Sequence, residues 1–205
     1  MFKTKLTLLS LLVLGSGAAY ADKIVEISVD THTVAPGTTG YLDFQFNLGP
    51  QVTQAATVQI LNFQGGTYFG GTQQLTGGAS GGPLPSTITL VNSSSFDDAF
   101  EGVSLGNSLS FLLDFGGAAV NSPNGTAAST SEFLFSMFSD VNGTVPLLTS
   151  DPNGVLGSVT VNLDGTLKTQ SASSSLGFVP EPAAFWLLGG GLTVLGALRR
   201  FRRGV

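Results

Sequence analysis

The sequence predicts an all-β fold, namely an antiparallel, jelly-roll-like β-sandwich set between two sorting segments. Only 10% of the 205 residues are charged and 28 are glycine, a composition that favours strands and turns over helices. Apolar and polar residues alternate with a period of two along most of the chain, as expected for strands buried on one face. Glycine-containing dipeptides suited to positive φ separate these runs.

Eight alternating runs predict strands in chain order. The apolar face of each run is expected to point into the core and the polar face toward solvent. A sandwich needs roughly this number of strands, and a closed barrel is the alternative. The apolar faces are Val25, Ile27 and Val29; Leu42, Phe44, Phe46 and Leu48; Val58 and Ile60; Ile88 and Leu90; Leu109, Phe111, Leu113 and Phe115; Phe133, Phe135 and Met137; Val159, Val161 and Leu163; and Leu167.

Three segments depart from this simple alternation. Residues 72–85 (TQQLTGGASGGPLP) are predicted to form a long Gly-rich loop, and residues 96–103 (FDDAFEGV) a short helical turn. Turn dipeptides between Glu132 and Ser173 predict a four-stranded meander. Residues 170–178 are Ser-rich and predict a linker, so the predicted sandwich domain comprises residues 22–169.

The first 21 residues are typical of a secretory signal peptide. Lys3 and Lys5 form a basic start, and residues 6–14 (LTLLSLLVL) form an apolar run too short for a membrane span of ~20 residues. Ala19 and Ala21 fit the small-x-small pattern that signal peptidase recognises. We therefore expect cleavage after Ala21 and export by the general secretion machinery.

The C-terminal segment, residues 179–205, combines three features in a fixed order. Pro180, Glu181 and Pro182 come first, and residues 183–198 form an uncharged run that predicts a single transmembrane helix. At ~1.5 Å per residue this helix falls somewhat short of the ~30 Å hydrocarbon core, a deficit that snorkelling arginines and local thinning can cover. The basic end is expected to stay cytoplasmic as a stop-transfer signal and consists of Arg199, Arg200, Arg202 and Arg203.

This order of motif, apolar span and basic end resembles the PEP-CTERM sorting tail. The resemblance implies processing by exosortase, a membrane-embedded, transpeptidase-like enzyme that cuts near the Pro-Glu-Pro motif and releases or re-attaches the exported body. It also implies a Gram-negative bacterium that makes exopolysaccharide and biofilm. The chain would cross the inner membrane, stay anchored transiently by its C-terminal helix, and end at the cell surface or in the extracellular matrix. An ordinary single-pass anchor is the alternative.

The body also resembles one recurrent type of PEP-CTERM passenger. The likeness rests on four stretches, residues 29–31 (VDT), 40–47 (GYLDFQFN), 121–126 (NSPNGT) and 147–152 (LLTSDP). That passenger group has no assigned biochemical activity, so the resemblance implies no catalytic residues.

Charge is distributed very unevenly along the chain. Of the 13 acidic residues, 12 lie between Asp22 and Phe178, where Lys23 and Lys168 are the only basic residues, giving a net charge of −10. A body without a basic patch is excluded from binding nucleic acid through phosphate neutralisation. The acidity favours solubility, with attraction of Ca²⁺ or other cations as the alternative.

Asp97, Asp98 and Glu101 form the densest acidic group in the sequence. Paired carboxylates can hydrolyse glycosides, but the only tryptophan, Trp186, lies in the predicted membrane span, so the body lacks the aromatic platform that we expect of such a cleft. The same acids could bind Ca²⁺, as could the Asp-x-Asn-Gly segments that begin at Asp140 and Asp151. That pattern is also a common hairpin turn, and plain turns are the favoured interpretation.

Two other features of the sequence are candidate sites. His32 is the only histidine, and no Gly-x-Ser-x-Gly elbow accompanies it, so a solvated loop residue is expected. Tyr68 and Phe69, flanked by glycines, could stack on a sugar, although a strand-end core anchor is the commoner role of such a pair.

These observations predict an exported, acidic, non-enzymatic protein with a structural or adhesive role and no required cofactor. The expected partners are signal peptidase, an exosortase-type enzyme, the membrane before processing, and extracellular polysaccharide. The alternative is a polysaccharide-binding module, either dependent on Ca²⁺ or independent of it.

Overall fold

The computed structural model describes residues 23–180. Within this range the chain forms eleven strands and one single-turn helix, α1 (Ala118–Asn121). No helix among these residues is long and apolar enough to cross a membrane. The strands are β1 (Ile24–Asp30), β2 (Thr39–Asn47), β3 (Thr57–Tyr68), β4 (Gln74–Thr76), β5 (Ala79–Gly81), β6 (Ile88–Val91), β7 (Asp98–Gly116), β8 (Ser131–Phe138), β9 (Val155–Val161), β10 (Leu167–Ser171) and β11 (Leu176–Pro180).

Every paired strand runs antiparallel to its neighbours. The main path of hydrogen-bonded strands is β10-β9-β8-β2-β7-β3-β6-β5, with β11 beside β1, β1 beside β7, and β4 beside β7. The predicted all-β, antiparallel architecture is therefore confirmed.

The fold has two layers, one containing β2 and the other containing β1, and the 19-residue strand β7 belongs to both. Its residues 98–104 pair with β2, whereas residues 108–114 pair with β1. Along its other edge, β3 accompanies β7 from residue 103 to residue 116. β3 and β7 therefore continue from one layer into the other, and β1 and β2 lie end to end along the same side of β7.

Two glycines allow β3 and β7 to bend together. Gly65 has a φ of +83°, and a Cβ at this position would lie 1.8 Å from the carbonyl oxygen of Ser108. A Cβ at Gly106 would lie 2.5 Å from the carbonyl oxygen of Gly65. The register between the two strands shifts on both sides of Gln64, as in a β-bulge that sharpens a bend. Only glycine fits this approach of two backbones.

The two layers meet in a core dominated by phenylalanine. The ring of Phe111 in β7 packs edge-on against Phe44 of β2 and Phe135 of β8, with centroid distances of 5.4 and 5.1 Å. Such pairs add about 0.5–1.5 kcal/mol each beyond the burial of their area. Because the contacts join opposite layers, the fold is sandwich-like. A similar group recurs farther along the same strands, in Phe46, Phe115 and Phe133.

The predicted apolar faces are buried, with a few exceptions at strand ends. Val25, Ile27 and Val29 alternate inward along β1 as predicted, and β2, β7 and β8 follow the same rule. Leu163 does not, because β9 ends at Val161 and leaves Leu163 45% exposed.

Three predicted segments are wrong in detail. The expected helical turn at residues 96–103 is instead the beginning of β7, because its register against β2 buries Ala99 and Val103. The Gly-rich loop at residues 72–85 contains the short strands β4 and β5. The meander has three strands, β8 to β10, since both Asn-Gly turns before β9 lie within one connection, residues 139–154.

The predicted linker at residues 170–178 is also wrong, because it is largely part of the sheet. Residues 167–171 form β10, and residues 176–180 form β11, which pairs with β1 from Leu176 opposite Val29 to Pro180 opposite Val25. Leu176 is only 6% exposed, and Phe178 packs against the core. This strand was not predicted because its apolar residues follow a run of serines.

The terminal sorting features lie outside the described residues. These are the predicted signal peptide with its Ala19 and Ala21 cleavage pattern, the helix at residues 183–198 and the arginine cluster. Of the Pro-Glu-Pro motif, Pro180 is the last residue of β11, and Glu181 and Pro182 lie outside the described range.

The substitution Leu176→Ala tests whether β11 belongs to the folded domain. Removing this buried side chain is expected to lower the free energy of unfolding by about 2 kcal/mol, as large-to-small substitutions in cores do. Leu163→Ala, at an exposed position, is the control and should change it by less than about 0.5 kcal/mol. Urea unfolding measures both, and equally small effects would contradict the assignment of β11 to the sheet.

Candidate functional site

An open cleft of about 400 Å³ lies on the face of the β2–β7–β8 layer that is turned away from the core. Its floor is formed by side chains that alternate outward from these strands, opposite to the buried phenylalanines. Strand β4 and the connection at residues 139–154 complete its sides. The lining residues are Asp43, Gln74, Phe96, Asp98, Phe100, Phe138, Val141, Asn142 and Gly143.

Two buried carboxyl groups, Asp43 and Asp98, lie at the floor of the cleft. Asp98 is opposite Gln45 in the β2–β7 ladder, which places it diagonally across from Asp43 on the same face. Each side chain is only 8% exposed. The Oδ1 atom of each is buried and has no hydrogen-bond partner among residues 23–180. These are the unsatisfied buried polar atoms that call for a physical explanation.

A proton shared between the two carboxyl groups explains these atoms. Burial raises the pKa of Asp43, and burial together with the adjacent Asp43 carboxyl raises the pKa of Asp98 to about 8. Two carboxylates in one desolvated site cannot both ionise at low cost. The pair therefore holds one proton at neutral pH, and this proton belongs to the pair rather than to either residue.

Neutral amides extend the polar floor along β2. The Nε2 of Gln45 donates to Oδ2 of Asp43 at 2.8 Å, and the Nδ2 of Asn47 donates to Oε1 of Gln45 at 3.2 Å. The backbone N–H of Asp97 in turn donates to Oδ1 of Asn47 at 2.9 Å. This chain orients the Asp43 carboxyl group from one side and leaves its other side to Asp98.

Aromatic rings form the apolar part of the cleft. Phe100 stacks on Tyr41 at a centroid distance of 5.6 Å and lies 6.4 Å from Phe138. Phe96, at the rim, is 49% exposed, and Val141 on the facing connection is also 49% exposed. Exposed apolar groups beside convergent polar ones are the usual composition of a ligand cleft.

The connection over the cleft is held by Asp140. Its carboxylate accepts hydrogen bonds from the backbone N–H groups of Asn142, Thr144 and Val145 at 3.2, 2.9 and 2.7 Å, and from the Thr144 hydroxyl at 2.8 Å. Burial opposes ionisation, but these bonds outweigh it and lower the pKa of Asp140. Asp140 thus acts as a turn residue that positions Asn142 at the cleft.

The three acids that the sequence grouped together do not form one site. Because side chains alternate along a strand, Asp97 and Glu101 point away from the face that carries Asp98. Glu101 is fully buried and accepts hydrogen bonds from the backbone N–H of Leu84 and from Nε2 of Gln73, at 2.9 and 2.6 Å. Burial raises the pKa of Glu101 despite these bonds.

The Asp97 carboxylate also has a structural role. Its carboxylate accepts hydrogen bonds from the backbone N–H groups of Gly78, Ser93 and Ser94 at 2.6, 2.8 and 2.7 Å, and from both serine hydroxyls. Burial works against the charge, but the bonds outweigh it and lower the pKa of Asp97. Asp97 therefore joins the turn at residues 93–96 to the Gly-rich segment.

The other sequence candidates lie away from the cleft lining. His32 is exposed and hydrogen-bonds Asp30, and this contact lowers the pKa of Asp30. Tyr68 ends β3, and its hydroxyl accepts hydrogen bonds from the backbone N–H groups of Gly71 and Gln73. Phe69 is 53% exposed. Asp151 accepts a bond from the Asn153 N–H within its own turn.

Asp43 was not singled out as a site residue in the sequence. It occupies a regular polar position in the alternating run of β2, and Asp98 lies 55 positions farther along the sequence. One feature of the sequence could have indicated Asp43. It is a carboxylate flanked by Leu42 and Phe44, and the next polar residues on the same face of β2 carry neutral amides. Only the β2–β7 register brings it to Asp98.

Similarity to known proteins adds no assignment to this geometry, since no protein-family model, no curated protein and no solved structure matches the chain significantly.

The substitution Asp98→Asn tests the shared proton. The folded pair keeps a proton that the unfolded chain releases near pH 4, so the free energy of unfolding should fall as the pH rises from about 4 to 8. The variant should flatten this fall and be more stable than the parent at pH 8 by about 1–2 kcal/mol. Urea unfolding at pH 5, 6.5 and 8 measures the difference.

Asp114→Asn, on the same strand but outside the cleft lining, is the matched control and should keep the parent's pH profile. Burial also raises the pKa of Glu101. Every variant should therefore keep a residual fall in the free energy of unfolding as the pH rises. Identical profiles for the parent and the Asp98→Asn variant would show that the pair does not hold the proton.

Proposed function

We propose that this chain is an exported, non-enzymatic, acidic protein of the cell surface or polysaccharide matrix, and that it adheres to a hydroxyl-rich polymer through the cleft. The cleft is the observation that carries the proposal. It combines exposed aromatic and apolar groups, represented by Phe96 and Val141, with the carboxyl and amide groups of Asp98, Gln74 and Asn142.

Each part of this lining suits a sugar polymer. Aromatic faces pack against the apolar faces of sugar rings, while carboxyl and amide groups accept and donate hydrogen bonds with hydroxyls. The openness of the cleft suits a chain that passes through rather than a small molecule that is enclosed. A net charge of −10 over the body favours neutral polymers over anionic ones.

The position of the carboxyl groups favours binding over glycoside hydrolysis. Glycosidases hold their two carboxyl groups roughly 5–9 Å apart so that the scissile bond lies between them. Asp43 and Asp98 instead lie diagonally across one ladder in a shared desolvated site, where the Asp43 carboxyl raises the pKa of Asp98. Asp97 and Glu101 are engaged in holding loops, which supports a structural role for the remaining acids of the group.

The sorting part of the proposal is supported by the sequence of the two ends. The resemblance to a PEP-CTERM tail points to an exosortase-type enzyme as a partner, with signal peptidase acting at the other end. Nested strand pairs β1–β11, β2–β8 and β3–β6 support a jelly-roll-like arrangement of the exported body.

Replacement of Glu181 and Pro182 by Ala tests the sorting motif without changing β11. We expect the double variant to keep its C-terminal segment, whereas the parent recovered from its host should end near residues 180–182. Intact mass and C-terminal peptide sequencing distinguish the two. A parent protein that ends at Val205 in the membrane fraction would contradict processing.

Phe96→Ala tests the cleft as the binding surface. Loss of the exposed ring should weaken retardation in affinity electrophoresis through gels containing the host's exopolysaccharide, with about a tenfold loss of affinity if the ring contributes about 1.4 kcal/mol. Phe69→Ala, another exposed phenylalanine outside the cleft lining, is the matched control. Equal mobility of both variants and the parent would contradict a role for the cleft.

A further inference from the structure

We propose that Asp43 and Asp98 bind a calcium-type divalent cation at the floor of the cleft, through the buried oxygens that have no partner among residues 23–180. The amide oxygens of Gln74 and Asn142 would supply neutral ligands. This inference does not depend on a polysaccharide ligand, because it concerns the cation alone.

The unsatisfied buried oxygens point to an occupant. Both carboxyl groups are nine-tenths buried and line the cleft, and neither Oδ1 finds a donor within the described part of the chain. The residues known to line the cleft include no lysine, arginine or histidine. Buried carboxylates are normally paired or bound to metal, and when the pair does not hold its shared proton, a positive partner would come from solution.

Neutral oxygen ligands stand on two sides of the pair. Gln74 lies on β4 opposite Phe100, and Asn142 lies on the connection that Asp140 holds in place. Within residues 23–180 neither amide side chain is engaged in a hydrogen bond to another residue, although both line the cleft. These amides are therefore free to turn an oxygen toward a cation.

The donor set suits a hard cation of moderate affinity. Carboxylate and amide oxygens with several waters are the ligands that Ca²⁺ takes, six to eight in number. The structure gathers no group of three or more His, Asp or Glu side chains within its described residues, so two carboxylates carry the charge. Sites of such low charge resemble extracellular modules, which bind Ca²⁺ with a Kd of roughly 0.1–1 mM.

Proton and cation compete for the same oxygens. The titratable groups on the packed elements are few. Tyr41 is stacked on Phe100, Asp140 is bonded to its own connection, and Asp97 and Glu101 point to the opposite face of β7. Glu132 of β8 lies opposite Asn47 and outside the cleft lining. Because carboxylates must be deprotonated to bind a cation, binding should be weaker at pH 5.5 than at pH 8.

Thermal unfolding of the full chain in mild detergent, followed by circular dichroism without any polysaccharide, tests the proposal. Addition of 10 mM CaCl₂ should raise the Tm by about 3–5 °C at pH 8, given a Kd of about 1 mM, and by less than about 1 °C at pH 5.5. Asp43→Asn and Asp98→Asn should each abolish the shift, whereas Asp114→Asn should keep it.

Calorimetric titration in two buffers of different ionisation enthalpy gives a second readout. Near pH 7 the parent should release up to one proton per bound Ca²⁺. A parent without a Tm shift at pH 8, or a shift equal in the Asp98→Asn and Asp114→Asn variants, would overturn the inference. Because no sugar is present, its failure is distinct from a failure of the Phe96 experiment, which reports on the adhesive function.

Discussion

Where β3 and β7 bend, the backbones of Gly65 and Gly106 approach so closely that a Cβ on either residue would collide with a carbonyl oxygen. This approach lets both strands run from one layer into the other, with a bulge in their ladder where the register shifts on both sides of Gln64. Strands β1 and β2, which each pair with β7, follow the same course along it. A side chain at the bend would push the strands apart and separate the aromatic core that the layers enclose.

The same strand, β7, then presents two different surfaces. One face carries Ala99, Val103 and Phe111 into the core, and the other carries Asp98 and Phe100 to the cleft. Core packing and the cleft are therefore linked through one backbone, so the rigidity of the aromatic cluster fixes the floor of the cleft. The buried carboxyl pair lowers the stability of the fold, and residues that do so are expected at functional sites.

Alternation in the sequence was sufficient to predict the central strands. The apolar faces of β1, β2, β8 and the second half of β7 follow directly from period-two spacing, because their buried apolar residues occupy every second position. The start of β7 escaped prediction since Asp97, Asp98 and Glu101 resemble the polar face of a helix, although two of them are buried in the sheet. β11 escaped because its apolar residues follow a run of serines that resembles a linker.

The cleft could not be predicted in the same way. Asp43 and Asp98 meet only through the register of β2 against β7, a long-range pairing that spacing along the chain does not encode. Asn142 was visible as part of a turn, and the turn is confirmed by the bonds that the backbone N–H groups of Asn142 and Thr144 donate to Asp140. Its position beside the carboxyl pair depends on how residues 139–154 fold back over β8, which a local motif does not specify.

The position of β11 has a mechanical consequence. This five-residue edge strand is the last described element before Glu181 and is held to the rest by pairing with β1 alone among the strands of residues 23–180. If the chain is tethered through its C-terminal segment, any pull on the body passes first through β11. A load along the strand would shear all its hydrogen bonds at once, whereas a load across it would open them one after another from Pro180. The direction of tension, rather than the depth of the core, would then determine how long an anchored domain stays folded.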